Sequence, residues 1–262
     1  MKALDFCSWF PNIYFKTNYG VIINDDCFNI FPHIPNKSID LILADLPYGT
    51  TKCKWDSILP LDKLWEQYER IIKDNGAIIL FAKQPFTSQL VNSNLRLFRY
   101  EAIWQKEKGT DFANANCKFL NAHENILFFY KHQPTYNIQY LHGDPYTKKN
   151  YRNNNEEDLN FQGDNSGLWI NNGRRTPTTV LKFARDNIHY KTNLHPTQKP
   201  VALLEYLIKT YSNENDLAMD NTAGVCSTGV AAENTKRYWI CIEKELEYCV
   251  KAKNRFDAKE AK

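Results

Sequence analysis

No uninterrupted apolar run in the 262-residue sequence approaches the roughly 20 residues that a membrane-spanning helix needs. The N-terminal segment also lacks the apolar stretch and cleavage site of a signal peptide, because Asp5 comes early and Pro11 follows soon after. These two absences predict a cytoplasmic protein. The composition is that of an ordinary globular protein, and the length suffices for one sizeable core with an inserted lobe.

The sequence has no closely spaced cysteine pairs and little net charge. Its seven cysteines are scattered singly, and no two have Cys-x-x-Cys spacing. We therefore expect reduced cysteines and no structural metal. The formal net charge is only +3, so any case for nucleic-acid binding depends on local clusters of basic residues.

Two parts of the chain, 1–132 and 191–262, alternate short apolar runs with amphipathic segments. Residues 39–44 and 77–81 have the pattern of buried parallel strands, and 61–73 between them has helical periodicity. This alternation predicts an α/β fold with a doubly wound, mostly parallel sheet. The same patterns predict further elements at 86–94, 98–104, 125–130, 200–211, 216–219, 227–235, 238–242 and 245–256.

The composition changes between 133 and 190. This stretch is rich in Asn, Gly, Tyr, Lys and Arg and has few periodic apolar positions. On its own it is typical of a long solvated loop or a disordered linker. We predict that 133–190 is an insertion into a domain that is formed by 1–132 and 191–262.

The tetrapeptide Asp45-Leu46-Pro47-Tyr48 follows the predicted strand 39–44, at the sheet edge where α/β proteins bind ligands. The exocyclic amine of a nucleobase is a poor nucleophile, because its lone pair is delocalised into the ring. A carboxylate and a backbone carbonyl could accept both amine hydrogens and aim the lone pair, while the proline restrains the backbone. The tyrosine offers a ring on which an extruded base can stack. The plainer interpretation is a strand that ends in a turn with a packed tyrosine.

Two later segments have features of a ligand site. Residues 217–229, LAMDNTAGVCSTG, combine a strand, a glycine turn and a helix that begins near Ser227. Such a turn lets a ligand approach the backbone and the helix N–H groups, although a strand-turn-helix without a ligand has the same pattern. Gly-x-Gly-x-x-Gly is absent, which argues against a nicotinamide dinucleotide. Residues 195–200, HPTQKP, form a polar turn with proline at a helix start.

Together these segments resemble the amino-group DNA methyltransferases, which transfer a methyl group from S-adenosylmethionine to adenine N6 or cytosine N4. DLPY is similar to their Asp/Asn/Ser-Pro-Pro-Tyr catalytic motif, and 217–229 is similar to their cofactor loop. HPTQKP matches the motif beside the methionine end of the cofactor. The order of motifs resembles the beta class and short phage- or prophage-borne enzymes, over roughly 20–256. The resemblance implies a Rossmann-like methyltransferase fold with a circularly permuted motif order.

The resemblance also implies a role for each matching residue. Asp45, Leu46, Pro47 and Tyr48 would be catalytic. Cofactor binding would involve Asp26, His195, Thr197, Gln198, Lys199, Asp220, Asn221, Thr222, Gly224, Ser227, Thr228 and Glu243. Of these, Asp26 would border the adenine, Glu243 the ribose hydroxyls, and Thr197 and Lys199 the methionine carboxylate. Cys226 stands where the family has a second glycine, and we expect its side chain to crowd the methionine moiety.

In the family, the position of 133–190 holds the target-recognition region, so the resemblance implies contacts with double-stranded DNA. Lys106 and Lys108, together with Asn114 and Asn116, would border the flipped base. The basic candidates for nucleic-acid contacts are Lys106, Lys108, Lys148, Lys149, Arg152, Arg174, Arg175, Lys182 and Arg185, with Tyr146, Tyr151 and Trp169 among them. A cognate restriction endonuclease and a second copy of the chain are further partners that the family implies.

Adenine N6 is the predicted target, because Asp45 occupies a position where the cytosine enzymes more often carry serine. N4-cytosine methylation is the nearest alternative. A catalytically weak DNA-binding protein on the same scaffold is the rival from another class, and Cys226 is the feature that motivates it. RNA as the substrate and a small-molecule methyltransferase are further alternatives.

Overall fold

The computed structural model describes residues 5–49, 57–149, 168–186 and 198–260. The chain divides into two compact units. The first comprises Met1–Asn137 with Thr179–Lys262, and the second comprises Ile138–Thr178. In the part of the chain that is described, no helix combines the length and the apolar character needed to cross a membrane.

The elements of the first unit are numbered along the chain. Its strands are β1 (Phe15–Lys16), β2 (Gly20–Asn24), β3 (Ile39–Ala44), β4 (Ile72–Ala82), β5 (Phe98–Thr110), β6 (Asn121–Phe129), β11 (Val180–Lys182), β12 (Leu217–Asp220) and β13 (Tyr238–Glu243). Its α-helices are α1 (Cys27–Ile30), α2 (Leu61–Ile71), α3 (Phe86–Ser93), α4 (Val201–Tyr211), α5 (Ser227–Asn234) and α6 (Leu246–Glu260). Short 3-10 helices cover Asp5–Trp9, Phe31–His33 and Phe112–Asn114.

Within the described residues, nine strands form one sheet in the order β1-β2-β13-β12-β3-β4-β6-β5-β11. The five strands from β2 to β4 run parallel, whereas β6 is antiparallel to both of its neighbours. The carboxyl ends of the parallel strands therefore meet at one edge of the sheet. Because β6 runs the other way, its amino-terminal end lies at that same edge.

The core consists of two apolar layers, one on each face of the sheet. Alternate residues of a strand belong to different layers: in β3, Ile42 contributes to one face, while Leu41 and Leu43 contribute to the other. Helices α1, α2 and α3 cover the first face, and α4, α5 and α6 cover the second. This doubly wound arrangement confirms the predicted fold class. It also explains the continuous apolar pattern of the central strands, since both of their faces are buried.

The predicted helices and strands are confirmed in type, and the ends of several differ. The largest difference is the hairpin of β5 and β6, which pairs as far as Thr110 and Asn121. Its outer half lacks an apolar run, because only the inner half packs on the core, and cross-strand hydrogen bonds hold the rest. The apolar pattern therefore predicts an end of this strand at 104, whereas β5 extends to Thr110.

The described residues of the second unit contain two antiparallel strand pairs. Strand β7 (Leu141–His142) pairs with β10 (Arg174–Arg175), and β8 (Tyr146–Lys149) pairs with β9 (Leu168–Asn171). This unit is shorter at both ends than the predicted insertion. The segment after it returns to the main sheet, where β11 pairs in parallel with β5 and Trp104 Nε1 donates to the Phe183 carbonyl at 2.9 Å. Lys182 and Arg185, which fall within the predicted insertion 133–190, thus lie in the first unit.

Arg237 provides a test of how the ends of α4 and α5 are joined. This buried guanidinium donates to Ser212 Oγ at 3.1 Å, to the Ser212 carbonyl at 2.7 Å and to the Thr235 carbonyl at 2.5 Å. We expect Arg237→Met to lower the free energy of unfolding by about 3 kcal/mol, because two buried carbonyls lose their donor. Urea unfolding followed by circular dichroism measures the change. The exposed control Lys209→Met should change it by less than about 0.5 kcal/mol, and equal effects of the two variants would contradict this account.

Candidate active site

A cavity of about 510 Å³ opens at the carboxyl edge of the parallel strands. Five strands supply its lining through the residues at or just beyond their ends. Asp45 follows β3, Asp220 ends β12, Glu243 ends β13, Asp26 follows β2 and Lys83 follows β4. The lining is thus rich in carboxylates that come from strands far apart in sequence.

The predicted catalytic corner and the predicted cofactor loop meet in this cavity. Asp45, Leu46, Pro47 and Tyr48 all line it. The Thr222 hydroxyl donates to the backbone carbonyl of Asp45 at 3.1 Å, which ties the loop after β12 to the corner after β3. The two strands are also neighbours in the sheet. The corner and the loop therefore face one shared space.

Tyr48 is held at both of its ends. Its hydroxyl donates to Asp45 Oδ1 at 2.7 Å, and its ring stacks on Phe86 with the centroids 5.4 Å apart. The aromatic ring is thus fixed in the cavity wall beside the carboxylate. The sequence analysis assigns to this ring the stacking of an extruded base.

A cluster of alternating buried charges lies behind the corner. The Lys199 ammonium donates to Asp45 Oδ2 at 2.5 Å and lies 3.1 Å from Glu124 Oε2. Glu124 Oε1 in turn accepts a hydrogen bond from Lys106. The Lys199 side chain is only 6% exposed, and those of Lys106 and Glu124 are 9% and 12% exposed. The structure thus places the Lys199 ammonium on Asp45, the predicted catalytic carboxylate, whereas the resemblance had implied the methionine carboxylate.

The cluster shifts the pKa values of its members in different directions. Burial raises the pKa of Asp45, against the opposing attraction of Lys199. Burial also acts upward on Glu124, but Lys199 and Lys106 together hold the pKa of that carboxyl below its usual value. For Lys199, the two carboxylates outweigh the effect of burial and raise its pKa. Lys199 is therefore a cation at neutral pH.

The cofactor loop is organised by Asp220. Its Oδ1 accepts from the Thr222 backbone N–H at 3.0 Å, and its Oδ2 accepts from the Thr228 hydroxyl at 2.7 Å. Burial raises the pKa of Asp220 to about 7. Asn221 lines the cavity, but its side-chain oxygen accepts the hydroxyl of buried Tyr68 at 2.5 Å. Asp220 and Asn221 thus hold the loop in shape from the core side.

Glu243 and Asp26 both line the cavity, and both also have structural roles. Glu243 Oε2 accepts the Gly224 N–H at 2.6 Å, and Oε1 accepts the Glu245 N–H at 2.8 Å. Asp26 caps α1 by accepting the Phe28 N–H at 3.0 Å. A carboxylate oxygen can accept more than one hydrogen bond, so these contacts leave capacity for a ligand.

The expectation that Cys226 crowds the cofactor is wrong. Its neighbours Val225 and Ser227 line the cavity, while the Cys226 side chain is fully buried in the core. The residue has a left-handed conformation, with φ 59°, which explains why a glycine suits this position. Its sulfur points away from the cavity toward Gly229, which has no side chain to occupy that space.

The cavity fits a nucleoside cofactor with a cationic centre. Its volume lies within the roughly 300–1,000 Å³ that is typical of such sites. At Gly224, φ is 53° and no atom lies within 4 Å of the position that a Cβ would take, so a ligand can approach the backbone there. The carboxylates of Asp26 and Glu243 supply acceptors for hydroxyl and amino groups.

Most of the predicted site residues that can be located line the cavity. His195, Thr197 and Arg152 lie outside the described residues. The predicted residues in the lining are Asp26, Asp45, Leu46, Pro47, Tyr48, Lys106, Arg185, Gln198, Lys199, Asp220, Asn221, Thr222, Gly224, Ser227, Thr228 and Glu243. Sequence reasoning missed Glu124 and Lys83. Lys83 directly follows an apolar strand run, which was the available signal, whereas Glu124 precedes such a run and reaches this edge only because β6 is antiparallel.

The other basic candidates lie in different places. Lys108 is an exposed residue of β5, and Lys182 is an exposed residue of β11. In the second unit, Arg174 lies over the ring of Tyr140, and Arg175 lies over the ring of Tyr146. Lys148 is exposed on β8, which also contains Lys149. These basic candidates are thus distributed over four strands in the two units.

Gly229 tests the position of the Cys226 sulfur. A Cβ at Gly229 would overlap this sulfur, so we expect Gly229→Ala to destabilise the protein by about 1–3 kcal/mol. In a Cys226→Gly background the same change should cost at least about 1 kcal/mol less, because the overlapping atom is gone. Urea unfolding of the four proteins measures this coupling.

Gly143→Ala is the matched control, since a Cβ there would meet only ordinary contacts with Arg175 at 3.5 Å. It should shift the unfolding free energy by less than about 0.5 kcal/mol. Strictly additive effects of the Cys226 and Gly229 changes would show that the sulfur points elsewhere.

Comparisons with known proteins agree with this geometry. A family model described as DNA methylase, for N6 and N4 methyltransferases, matches residues 39–254. The chain is 30% identical to the type II methyltransferase M.BglII of Bacillus subtilis over 266 residues, which covers 91% of this chain and 69% of that protein. It is 28% identical to the DNA adenine methyltransferase YhdJ of Escherichia coli (strain K12), with coverage of 93% and 84%.

Among solved structures, the cytosine-N4-specific PvuII DNA methyltransferase has the same fold. Its TM-score is 0.67 at 16% identity, over 94% of this chain and 90% of that chain. The family model spans most of the sequence, and the two strand ends that carry the catalytic and cofactor motifs share one cavity. The chain therefore belongs to the N6/N4 amino-group DNA methylase family, whose methyl donor is S-adenosylmethionine.

Proposed function

We propose that this protein is a site-specific DNA methyltransferase that methylates N6 of adenine in double-stranded DNA. The observation that carries the proposal is the junction of Asp45 with the cofactor loop, through the Thr222 hydroxyl, in one cavity. It brings an acceptor for an amine next to a loop suited to the methyl donor. Membership of the family supports the reaction class.

The cofactor would occupy the part of the cavity between the ends of β12 and β13. Glu243 would accept the ribose hydroxyls, Asp26 would border the adenine, and the backbone at Gly224 would lie against the methionine moiety. S-adenosylmethionine supplies an electrophilic methyl group on a cationic sulfur. The many carboxylates of the lining suit that positive charge.

The target base would leave the DNA stack and enter beside Tyr48. It would stack on the face of the tyrosine ring that Phe86 does not cover. Asp45 and the Leu46 carbonyl would each accept one hydrogen of the exocyclic amine and so orient its lone pair. When the nitrogen gains the methyl group, it releases one proton, for which the Asp45 carboxylate would be the acceptor.

Adenine is the favoured base because of the acidic residue at position 45 and the similarity to YhdJ, which is named as a DNA adenine methyltransferase. The same amine geometry serves N4 of cytosine, and the PvuII enzyme of the same fold is cytosine-specific. The two reactions differ in their methylated nucleoside, so a direct product analysis decides between them.

The second unit would contact DNA and contribute to target recognition. It exposes Lys148 and Arg174 together with the apolar side chains of Leu141 and Ile170. Basic side chains with interleaved aromatic rings, such as Arg174 over Tyr140, are typical of nucleic-acid surfaces. In the first unit, Phe119 at the end of the β5–β6 hairpin is 98% exposed and adds an aromatic ring near the cavity residue Thr110.

Replacement of Asp45 tests the catalytic assignment. We expect Asp45→Ala to lower methyl transfer to unmethylated DNA by about 100-fold or more, because the amine loses its charged acceptor. Binding of S-adenosylmethionine, measured by calorimetry, should change little. Lys199 keeps Glu124 as a partner in this variant, so the fold should persist.

The control is Asp74→Ala, which removes an exposed aspartate that pairs with Lys37. It should transfer methyl groups at the wild-type rate. Digestion of the radiolabelled wild-type product to nucleosides should give N6-methyladenine, and N4-methylcytosine in its place would refute the choice of base. Wild-type turnover by Asp45→Ala would refute the assigned role.

The salt dependence of DNA binding tests whether the second unit contacts DNA. We expect the double variant Lys148→Ala with Arg174→Ala to bind duplex DNA more weakly and to reduce the slope of log Kd against log salt by about 2, one per lost phosphate contact. Fluorescence anisotropy at several salt concentrations measures the slope. The charge-matched control Lys209→Ala with Lys236→Ala should leave it unchanged, and an unchanged slope in the first variant would exclude this surface.

A further inference from the structure

In the structure, the acceptor oxygens of Asp45 already have donors. Oδ1 accepts the Tyr48 hydroxyl at 2.7 Å, and Oδ2 accepts the Lys199 ammonium at 2.5 Å. An incoming amine needs one of these oxygens as its own acceptor. Lys199, which donates only, therefore competes with the incoming amine for the lone pairs of Oδ2.

Lys199 has a second carboxylate within reach. Its ammonium lies 3.1 Å from Glu124 Oε2. Within the described part of the chain, that buried oxygen has no partner with hydrogen-bond geometry, although its ionic contact with Lys199 is close. A small movement of the ammonium would turn this contact into a full hydrogen bond and would release Asp45 Oδ2.

The groups around the Lys199 ammonium can stabilise its charge while it moves over a short distance. The ammonium lies 5.1 Å from the centroid of the Phe81 ring and 5.8 Å from that of Tyr48, so both aromatic rings stabilise its charge. Lys106 holds the other oxygen of Glu124 and fixes that carboxylate in place. The charged groups that face Lys199 are thus Asp45 and Glu124, with Lys106 behind the latter.

We propose that Lys199 keeps the acceptor of Asp45 occupied until the target base enters, and that Glu124 then takes up the ammonium. This inference rests on the proposed methyl transfer to an exocyclic amine. It assigns two positioning residues. Lys199 supplies Asp45 Oδ2 with a donor before the base arrives, and Glu124 supplies the second position of the cation.

The exchange preserves charge and hydrogen bonds. Before entry, Asp45 Oδ2 accepts from Lys199, and after entry it accepts from the target amine. Lys199 stays protonated and changes only its partner, from Asp45 to Glu124. During transfer a nitrogen–carbon bond forms and a carbon–sulfur bond breaks with its electron pair going to sulfur, and the nitrogen then gives one proton to Asp45. Lys199 takes no part in that proton transfer.

Glu124→Gln tests the second position, because an amide keeps the shape of the side chain but attracts the ammonium weakly. Lys199 then stays on Asp45. We expect kcat for methylation of unmethylated genomic DNA to fall about 10- to 100-fold, as for a misplaced reacting group. Affinity for S-adenosylmethionine, measured by calorimetry, should remain close to that of the wild type. Glu107→Gln, an exposed glutamate on the same strand as Lys106, is the matched control and should keep the wild-type kcat.

The decisive measurement adds Lys199→Met to Glu124→Gln. Once the blocking ammonium is gone, Asp45 is accessible again, so the double variant should recover about tenfold in kcat over Glu124→Gln alone. A role of Glu124 in stability alone predicts the opposite, because a second buried change would add to the damage. Recovery in the double variant therefore separates positioning from structural support.

Two results would overturn the inference alone: a Glu124→Gln enzyme with at least the kcat of Glu107→Gln, or a double variant no faster than Glu124→Gln. A different result overturns the proposed function as well. That result is a wild-type protein that binds S-adenosylmethionine but transfers no label to any DNA base. Measurements on the variants therefore test the further inference, and measurements on the wild type test the proposed function.

Discussion

The site depends on the parallel pairing of β3 with β12, which places Asp45 and Asp220 at adjacent strand ends. Their junction is the hydrogen bond from the Thr222 hydroxyl to the Asp45 carbonyl. Both strands are buried on both faces, so a shift of one residue would exchange their two apolar faces and misplace both acids. Packing of the core therefore fixes the register, and the register fixes the distance between the catalytic corner and the cofactor loop.

The parts of the fold that could be predicted from the sequence are those with a local pattern. Apolar runs marked the central strands, and motifs marked the corner at 45–48 and the loop at 220–228. The contact between Lys199 and Asp45 could not be predicted, because it joins residues 154 positions apart. Glu124 was missed for a related reason. An apolar run does not reveal strand direction, and only the antiparallel course of β6 brings Glu124 to the catalytic edge.

Cys226 shows how a departure from a motif can mislead when only residue types are compared. A side chain in place of glycine was expected to fill the cofactor space. Its direction depends on the backbone, however, and the left-handed conformation turns the sulfur into the core against Gly229. The motif position thus requires an unusual φ angle more than it requires an empty space. The feature that motivated a catalytically weak binding protein is therefore compatible with an open cavity.

The buried charges beside Asp45 are costly, and their presence needs a reason other than stability. Burying an ion pair seldom stabilises a protein more than well-packed apolar residues would. In this cavity burial alone would raise the pKa of Asp45 and favour its neutral form, which is a poorer acceptor. The Lys199 ammonium opposes that effect, and Glu124 with Lys106 keeps the cluster close to neutral. The interaction that occupies the acceptor thus also opposes the rise in the pKa of Asp45 that burial causes.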